Sequence, residues 1–269
     1  AQTAIAYGVG NYILKPVSQA ELNKTLQKIL LRLEEKSEGG ASRGGGQTGP
    51  QRLREYLIRD LLDGRREFTE EELAQNYQFH VQGRCVQAFL LKLDLDGGEL
   101  GGPARSIIRR KAEELFQTTV LPVCAEGALY LRDSCGYGLL SYPDGDRDRP
   151  RHALRELLSK LEANKSLFGQ VVFTIGLGRP VRRARELGES VATARLAADE
   201  RLIEGRGRLL EEAPAAADIP RQALLNRYTN LVYHGIEILD GEPLRLSRES
   251  LRAGMLAVPR IRGQDILEL

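Results

Sequence analysis

The spacing of apolar positions changes several times along the chain, and each change marks an element. Leu22, Leu26, Ile29, Leu30 and Leu33 recur at helical intervals and predict an amphipathic helix over residues 18–35. Ser18 and Glu21 stand at capping-box spacing at its start. Just before it, Tyr12, Ile13 and Leu14 read as a short, fully buried strand ending at Lys15-Pro16. Residues 36–50 hold six glycines and no large apolar side chain, so they cannot offset the entropy of ordering and read as a flexible linker.

Helical spacing then resumes. Leu53, Tyr56, Leu57, Leu61 and Leu62 predict a helix from Gln51 to near Gly64. Thr69 is placed to cap a second, whose first turn carries Glu70, Glu71 and Glu72 at the positive end of the helix dipole. Beyond it the pattern predicts an apolar-dense strand over 85–95 and a helix over 103–116, with Pro103 in its first turn. Strand segments at 120–124 and 128–132 follow, and the turn residues Asp133 and Ser134 lead into a hairpin partner at 137–142. A helix over 152–161, a strand over 170–177 and a long helix over 181–203 complete the run.

That order predicts an α/β (α+β) sandwich around a mixed sheet, close to the ferredoxin-like pattern. Residues 211–217 read as a hinge, after which Leu224, Leu225, Tyr228, Leu231, Val232 and Ile236 predict a helix. Further helix is expected at 247–257 and 264–269. The domain reading is therefore 1–37, a linker over 38–50, a central domain over 51–210, and a helical connector over 211–269.

Composition narrows the function classes. Lys and Arg number 39 against 37 Asp and Glu, a balance that does not demand a nucleic-acid face. Three cysteines without a CxxC pair and three scattered histidines, His80, His152 and His234, argue against a disulfide framework or a structural metal site. No cofactor is expected. No apolar run approaches the roughly 20 residues of a membrane helix, and no leader pattern opens the chain, so a cytoplasmic protein without a membrane partner is the expectation.

Two regions resemble known families. Ala6-Tyr7-Gly8-Val9-Gly10-Asn11-Tyr12-Ile13-Leu14-Lys15-Pro16-Val17, followed by Ser18 and Glu21-Leu22, resembles the C-terminal end of a two-component receiver domain. The resemblance implies that Lys15 contacts a phosphorylated aspartate and that Tyr12 is the rotamer switch coupled to output. The aspartate itself is expected upstream of Ala1, in a chain clipped at both ends. The second region comprises the Arg52–Gly64 helix and Phe173-Thr174-Ile175-Gly176-Leu177-Gly178-Arg179-Pro180 leading into Ser190-Val191-Ala192-Thr193-Ala194. It resembles the degenerate GGDEF-like domain that lies between receiver and DNA-binding domains in some AraC-type response regulators.

Together these imply a non-enzymatic, signal-transmitting and self-associating middle region of a bacterial regulator of transcription. The intact parent would meet a sensor histidine kinase and promoter DNA. A small-ligand-binding regulatory domain is the alternative reading, and a residual nucleotide cyclase a third. Asp94 and Asp96 stand where GGDEF enzymes place the first metal-binding aspartate. Their hairpin, however, reads Arg132-Asp133-Ser134-Cys135-Gly136-Tyr137-Gly138 and lacks the glycine pair and paired acids that would help hold two magnesium ions. No metal is expected, and Asp94 and Asp96 read as strand-end turn residues.

Gly178 is expected to supply an unusual backbone angle and Pro180 to open the next helix. Arg179, Arg182 and Arg183, with Arg185, are candidate contacts for an anionic ligand or partner. Cys135, at the hairpin tip, is a redox-sensor candidate with no thiol or histidine close by in sequence.

Overall fold

Strand β1 (Arg84–Leu95) lies in the middle of a five-stranded mixed sheet and sets the layout of the domain. The computed structural model describes residues 49–64, 67–95, 102–132, 134–164, 171–211, 213, 220–237 and 241–268. Tyr12, Lys15, the 18–35 helix, the linker up to residue 48, Asp96 and Asp133 lie outside the described residues.

Helices α1 (Gly49–Leu62) and α2 (Glu70–Tyr77) precede β1. Helix α3 (Gly102–Leu115), hairpin strands β2 (Glu126–Arg132) and β3 (Cys135–Pro143), helix α4 (Asp148–Ala163) and strand β4 (Val171–Leu177) follow it. Next come α5 (Leu187–Asp199), α6 (Arg201–Glu204) and the two-residue strand β5 (Leu209–Leu210). The sheet order is β2-β3-β1-β4-β5; β1 runs antiparallel to both β3 and β4, and β5 lies parallel to β4. The first four strands thus have the split βαβ arrangement that the order of apolar segments predicts.

Alternation along β1 divides its side chains between two cores. Cys85, Phe89, Leu91 and Leu93 pack with Phe173 and Ile175 of β4 against Ile108 and Ala112 of α3 and Leu154, Leu157 and Leu161 of α4. Val86, Ala88 and Leu90 face the other way, onto Leu57, Ile58 and Leu61 of α1 and Leu187, Ala194 and Ala198 of α5. Both faces are covered, which is why β1 reads as a nearly continuous apolar run instead of an alternating one. Each fully buried leucine contributes about 2 kcal/mol to that packing.

Several sequence-based expectations hold closely. Thr69 caps α2, its Oγ1 accepting the Glu72 amide at 3.2 Å, a bond of a kind that contributes about 1 kcal/mol. The hairpin forms with Arg132 opposite Cys135.

Two expectations are corrected. Residues 120–124 are not a strand: α3 runs on through a π-helical turn (Phe116–Val120) into a 3-10 turn (Leu121–Val123). Pro122 has no amide to give a ladder. Thr118 Oγ1 donates to the Glu114 carbonyl at 2.9 Å, and Lys160 Nζ of α4 donates to Thr119 Oγ1 at 3.0 Å. Burial of Phe116, Thr119 and Val120 outweighs their weak helix preference.

The helix expected over 181–203 begins only at Leu187. Val181 instead bridges to Val86, each amide donating to the other's carbonyl at 2.8 Å, and Arg183 is extended. The arginines 182, 183 and 185 therefore precede the α5 helix and do not burden its dipole.

Beyond the domain, α7 (Arg221–Glu237) and α8 (Gly241–Leu256) pack together as a helical pair, and α9 (Gly263–Leu267) returns to α5 and α6.

Helix α5 can lie directly on β4 because residue 176 has no side chain. A Cβ there would come within 2.3 Å of the Ala198 nitrogen and 2.4 Å of the Ala194 carbonyl oxygen. Backbone on both sides cannot yield. Gly176→Ala is expected to cost about 3 kcal/mol by displacing α5. Urea unfolding, with near-ultraviolet circular dichroism to follow the packing, measures it.

Candidate functional site

The glycines on either side of Leu177 serve packing. Gly178 has no positive φ. It is glycine because a Cβ would stand 2.1 Å from the Ser190 carbonyl oxygen. At this point β4 leaves β1, and α5 supplies the missing partner. Ser190 Oγ accepts the Ala88 amide at 2.8 Å and donates to the Arg179 carbonyl at 2.6 Å. Gln87 Nε2 donates to the Gly178 carbonyl at 2.7 Å, and Tyr142 donates its hydroxyl proton to Gln87 Oε1 at 2.6 Å. The loop's polar groups are thus satisfied by the protein itself.

Among the candidate arginines, Arg182 holds Asp144 through two bonds, Nε at 2.7 Å and Nη2 at 3.0 Å. Arg182 and the buried Cys85, whose Sγ donates to the same carboxylate at 3.1 Å, hold Asp144 down at a pKa of about 2. Arg179 lies 3.8 Å from Glu189, and its amide donates to Thr193 Oγ1. Arg183 is exposed.

Asp94 is not a turn residue. It sits in β1 opposite Val172, on the face beneath α5. Gly176 brings α5 down onto that face, and the chain just past its end delivers Arg201 to Asp94. The Arg201 side chain is only 7% exposed, and its Nε reaches the two Asp94 oxygens at 3.0 and 3.3 Å. Its Nη1 also donates to Asp199 Oδ1 at 2.9 Å and to the Ala198 carbonyl at 3.1 Å. A guanidinium therefore fills the position beside Asp94 where a cation would bind. Arg201 escaped the sequence reading because its partner lies 107 residues away and its own neighbours resemble an ordinary charged helix end.

A second cluster joins α1, the α2–β1 connection and β2. The Glu126 carboxylate accepts the His80 amide at 2.8 Å and Arg84 Nη1 at 2.9 Å, contacts His80 Nδ1 at 2.8 Å, and has Arg54 at 3.7 Å. Burial works against its charge, but these donors outweigh it and hold its pKa below the usual carboxylate range.

Glu200 is a further buried acid that sequence reading missed. Burial pushes its pKa up, and it accepts the Gly263 amide at 2.9 Å, fastening α9 to the domain.

Among the described residues, no group of three or more His, Cys, Asp or Glu converges as a metal site, and no helix is long and apolar enough to cross a membrane. No protein-family model matches the chain, and no curated protein matches it.

Two variants test these clusters. Arg201→Met strands the shielded Asp94 charge and is expected to destabilise the domain by about 3 kcal/mol in urea. Adding Asp94→Asn should restore a large part of that. For Glu126, the folded pKa lies below the unfolded one, so its contribution is complete above the unfolded value of about 4.3 and is lost as pH falls through the folded one. Glu126→Gln should therefore flatten the acid limb of a pH series of thermal midpoints.

Proposed function

We propose that this chain is the signal-transmitting, non-catalytic middle region of a two-component regulator of transcription, with a GGDEF-like domain at its centre. The proposal joins the receiver-like segment around Tyr12 and Lys15 to the split βαβ domain that follows it. One observation carries the non-catalytic part. The Asp94 carboxylate, standing where related enzymes would place a metal ligand, is held by Arg201 inside a closed set of hydrogen bonds. A magnesium ion would have to displace that guanidinium and separate two largely shielded charges, which is costly.

Transmission would run from the receiver-like helix into the central domain and out through α5, Glu200 and α9. Self-association would use the helical pair, where Tyr233 (64% exposed) and Ile236 (56%) near the end of α7 stand with Leu246 (44%) of α8 as large apolar side chains in solvent. In the parent, a sensor histidine kinase would supply the phosphoryl group and promoter DNA would receive the output.

A second reading, a small-ligand regulatory domain, has one observation in its favour. A groove of about 660 Å³ runs along α5, lined by Leu62, Val191 and Leu196 with Arg185 and Arg195. Its size falls within the range of small-molecule sites.

Incubation with GTP and magnesium is expected to give no dinucleotide product; its formation would refute the non-catalytic reading. Sedimentation equilibrium should find a concentration-dependent dimer that Tyr233→Glu with Ile236→Glu dissociates. A chain that stays monomeric at high concentration would refute self-association. A thermal shift with a metabolite, abolished by Arg195→Ala, would favour the second reading.

A further inference from the structure

Helix α5 packs on the sheet through Leu187, Ala194 and Ala198. Its other side, from Gly188 to Asp199, lines the groove of about 660 Å³. Leu61, Leu62 and Gly64, at the end of α1, line the same groove. Leu62, Val191 and Leu196 are only half-buried there, so the groove offers apolar surface to an occupant. Gly188 and Ala192 stand one turn apart on α5 and put little bulk into it. Small residues at a contact bring two helix axes to about 8 Å, which suits a second helix laid along α5.

The chain supplies a complement from outside the described residues. Leu22, Leu26, Ile29, Leu30 and Leu33 fall on one face of the helix predicted over 18–35. Leu22 and Leu33 are 11 positions apart, as are Gly188 and Asp199, so stripe and groove would each run about 17 Å. Residues 36–48 connect this segment to α1, whose far end lines the groove. A glycine-rich sequence of that length has an r.m.s. span of about 20 Å, close to the roughly 21 Å of α1. A tether matched to its span gives an effective concentration on the order of millimolar. Charge favours one direction. With Leu33 beside Gly188 and the two helices antiparallel, Glu35 comes toward the exposed Arg185 and Arg32 toward the exposed Glu189.

We propose that residues 18–35 dock in the groove along α5, antiparallel to it, with the Leu22–Leu33 stripe on Leu62, Val191 and Leu196. The receiver-like segment then holds α5 directly, and a pull on that segment reaches the helix whose end carries Glu200 and α9. The inference deepens the transmission reading and rests on it for its meaning, although the contact is a property of this chain alone. It makes the groove's occupant a part of the chain, in place of the metabolite of the second reading.

The test uses the full chain carrying Ile29→Cys with Ala192→Cys, which face each other in the antiparallel register, and a short bismaleimide. Isotope-labelled and unlabelled chains are mixed at low concentration, so mass spectrometry of the linked peptides tells links within a chain from links between copies. The 29–192 link is expected within one chain. It should be several times more abundant than the 22–192 link of Leu22→Cys with Ala192→Cys, whose positions would lie about 10 Å apart along the axis. Adding Leu26→Asp with Leu30→Asp should cut the 29–192 link about tenfold or more, by setting carboxylates against apolar surface. Leu196→Lys, with the domain's thermal midpoint unchanged, should cut it from the other side. The proposal is overturned by links formed mainly between copies, which would give the stripe to a second chain. It is equally overturned by no 29–192 link, by a 22–192 link as abundant, or by a link indifferent to the aspartates and to Leu196→Lys. A metabolite whose thermal shift Arg195→Ala abolishes, and which leaves the link intact, would overturn it too. The cross-link reads the contact alone, whereas the GTP and sedimentation experiments read the function, so each can fail without the other.

Discussion

The backbone of α5 rests on the sheet without an intervening side chain at residue 176, and the rest of the α1–α5 face depends on that contact. Helices usually stand off from a sheet by the length of the residues between them. Here the separation closes, and a side chain only as long as serine can reach β1: Ser190 serves the Ala88 amide where β4 has turned away. The same closeness sets the depth at which the chain after α5 descends, and so allows Arg201 to meet Asp94 beneath it. One residue earlier, Glu200 takes the Gly263 amide and attaches the helices that follow the domain. Loop, ion pair and C-terminal attachment are three consequences of one steric allowance.

How much of this was legible in the sequence depends on the range of the interaction. Thr69 with its three glutamates is a local signal, and it was read correctly because capping involves residues only three apart. Strand β1 was legible because burial on both faces leaves a dense apolar run. The 120–124 stretch misled because its apolar, partly β-branched residues suggest a strand; the preceding turn, buried against α4 with the lysine bond to Thr119, instead carries the helix on through it. Val181 misled for the opposite reason: it follows a proline and precedes a clear helical pattern, yet its backbone is claimed by Val86. The least legible feature was the pairing of Asp94. Motif position suggested a turn or a metal ligand, and only the assembled sheet brings a distant arginine to it.

Three acids in the domain bind groups of the protein's own chain. Glu126 gathers donors from three segments, Asp144 fastens the post-β4 loop to the end of β3, and Asp94 holds Arg201 at the start of α6. Each acid ties separate stretches of chain together, which is a structural use of charge. In a domain proposed to transmit a state, the shielded ties at Glu126 and Asp94 couple the elements, since displacing one would leave a charge without its partner on another.

The two edges of the sheet are unequal. On one side β5 covers β4 at Ile175 and Gly176 only, but the chain leading into it also serves Ile175 and Thr174, through the Arg208 carbonyl and the Gly207 amide. That stretch of β4 is already partnered. On the other side, β2 carries the outermost ladder, with Glu55 of α1 and Glu113 of α3 lining a shallow recess beside it. Among the described residues, β2 has no further strand beyond it. An uninvited strand, from a misfolded neighbour or an aggregating segment, therefore meets a partly occupied border beside β4 and a longer edge strand at β2.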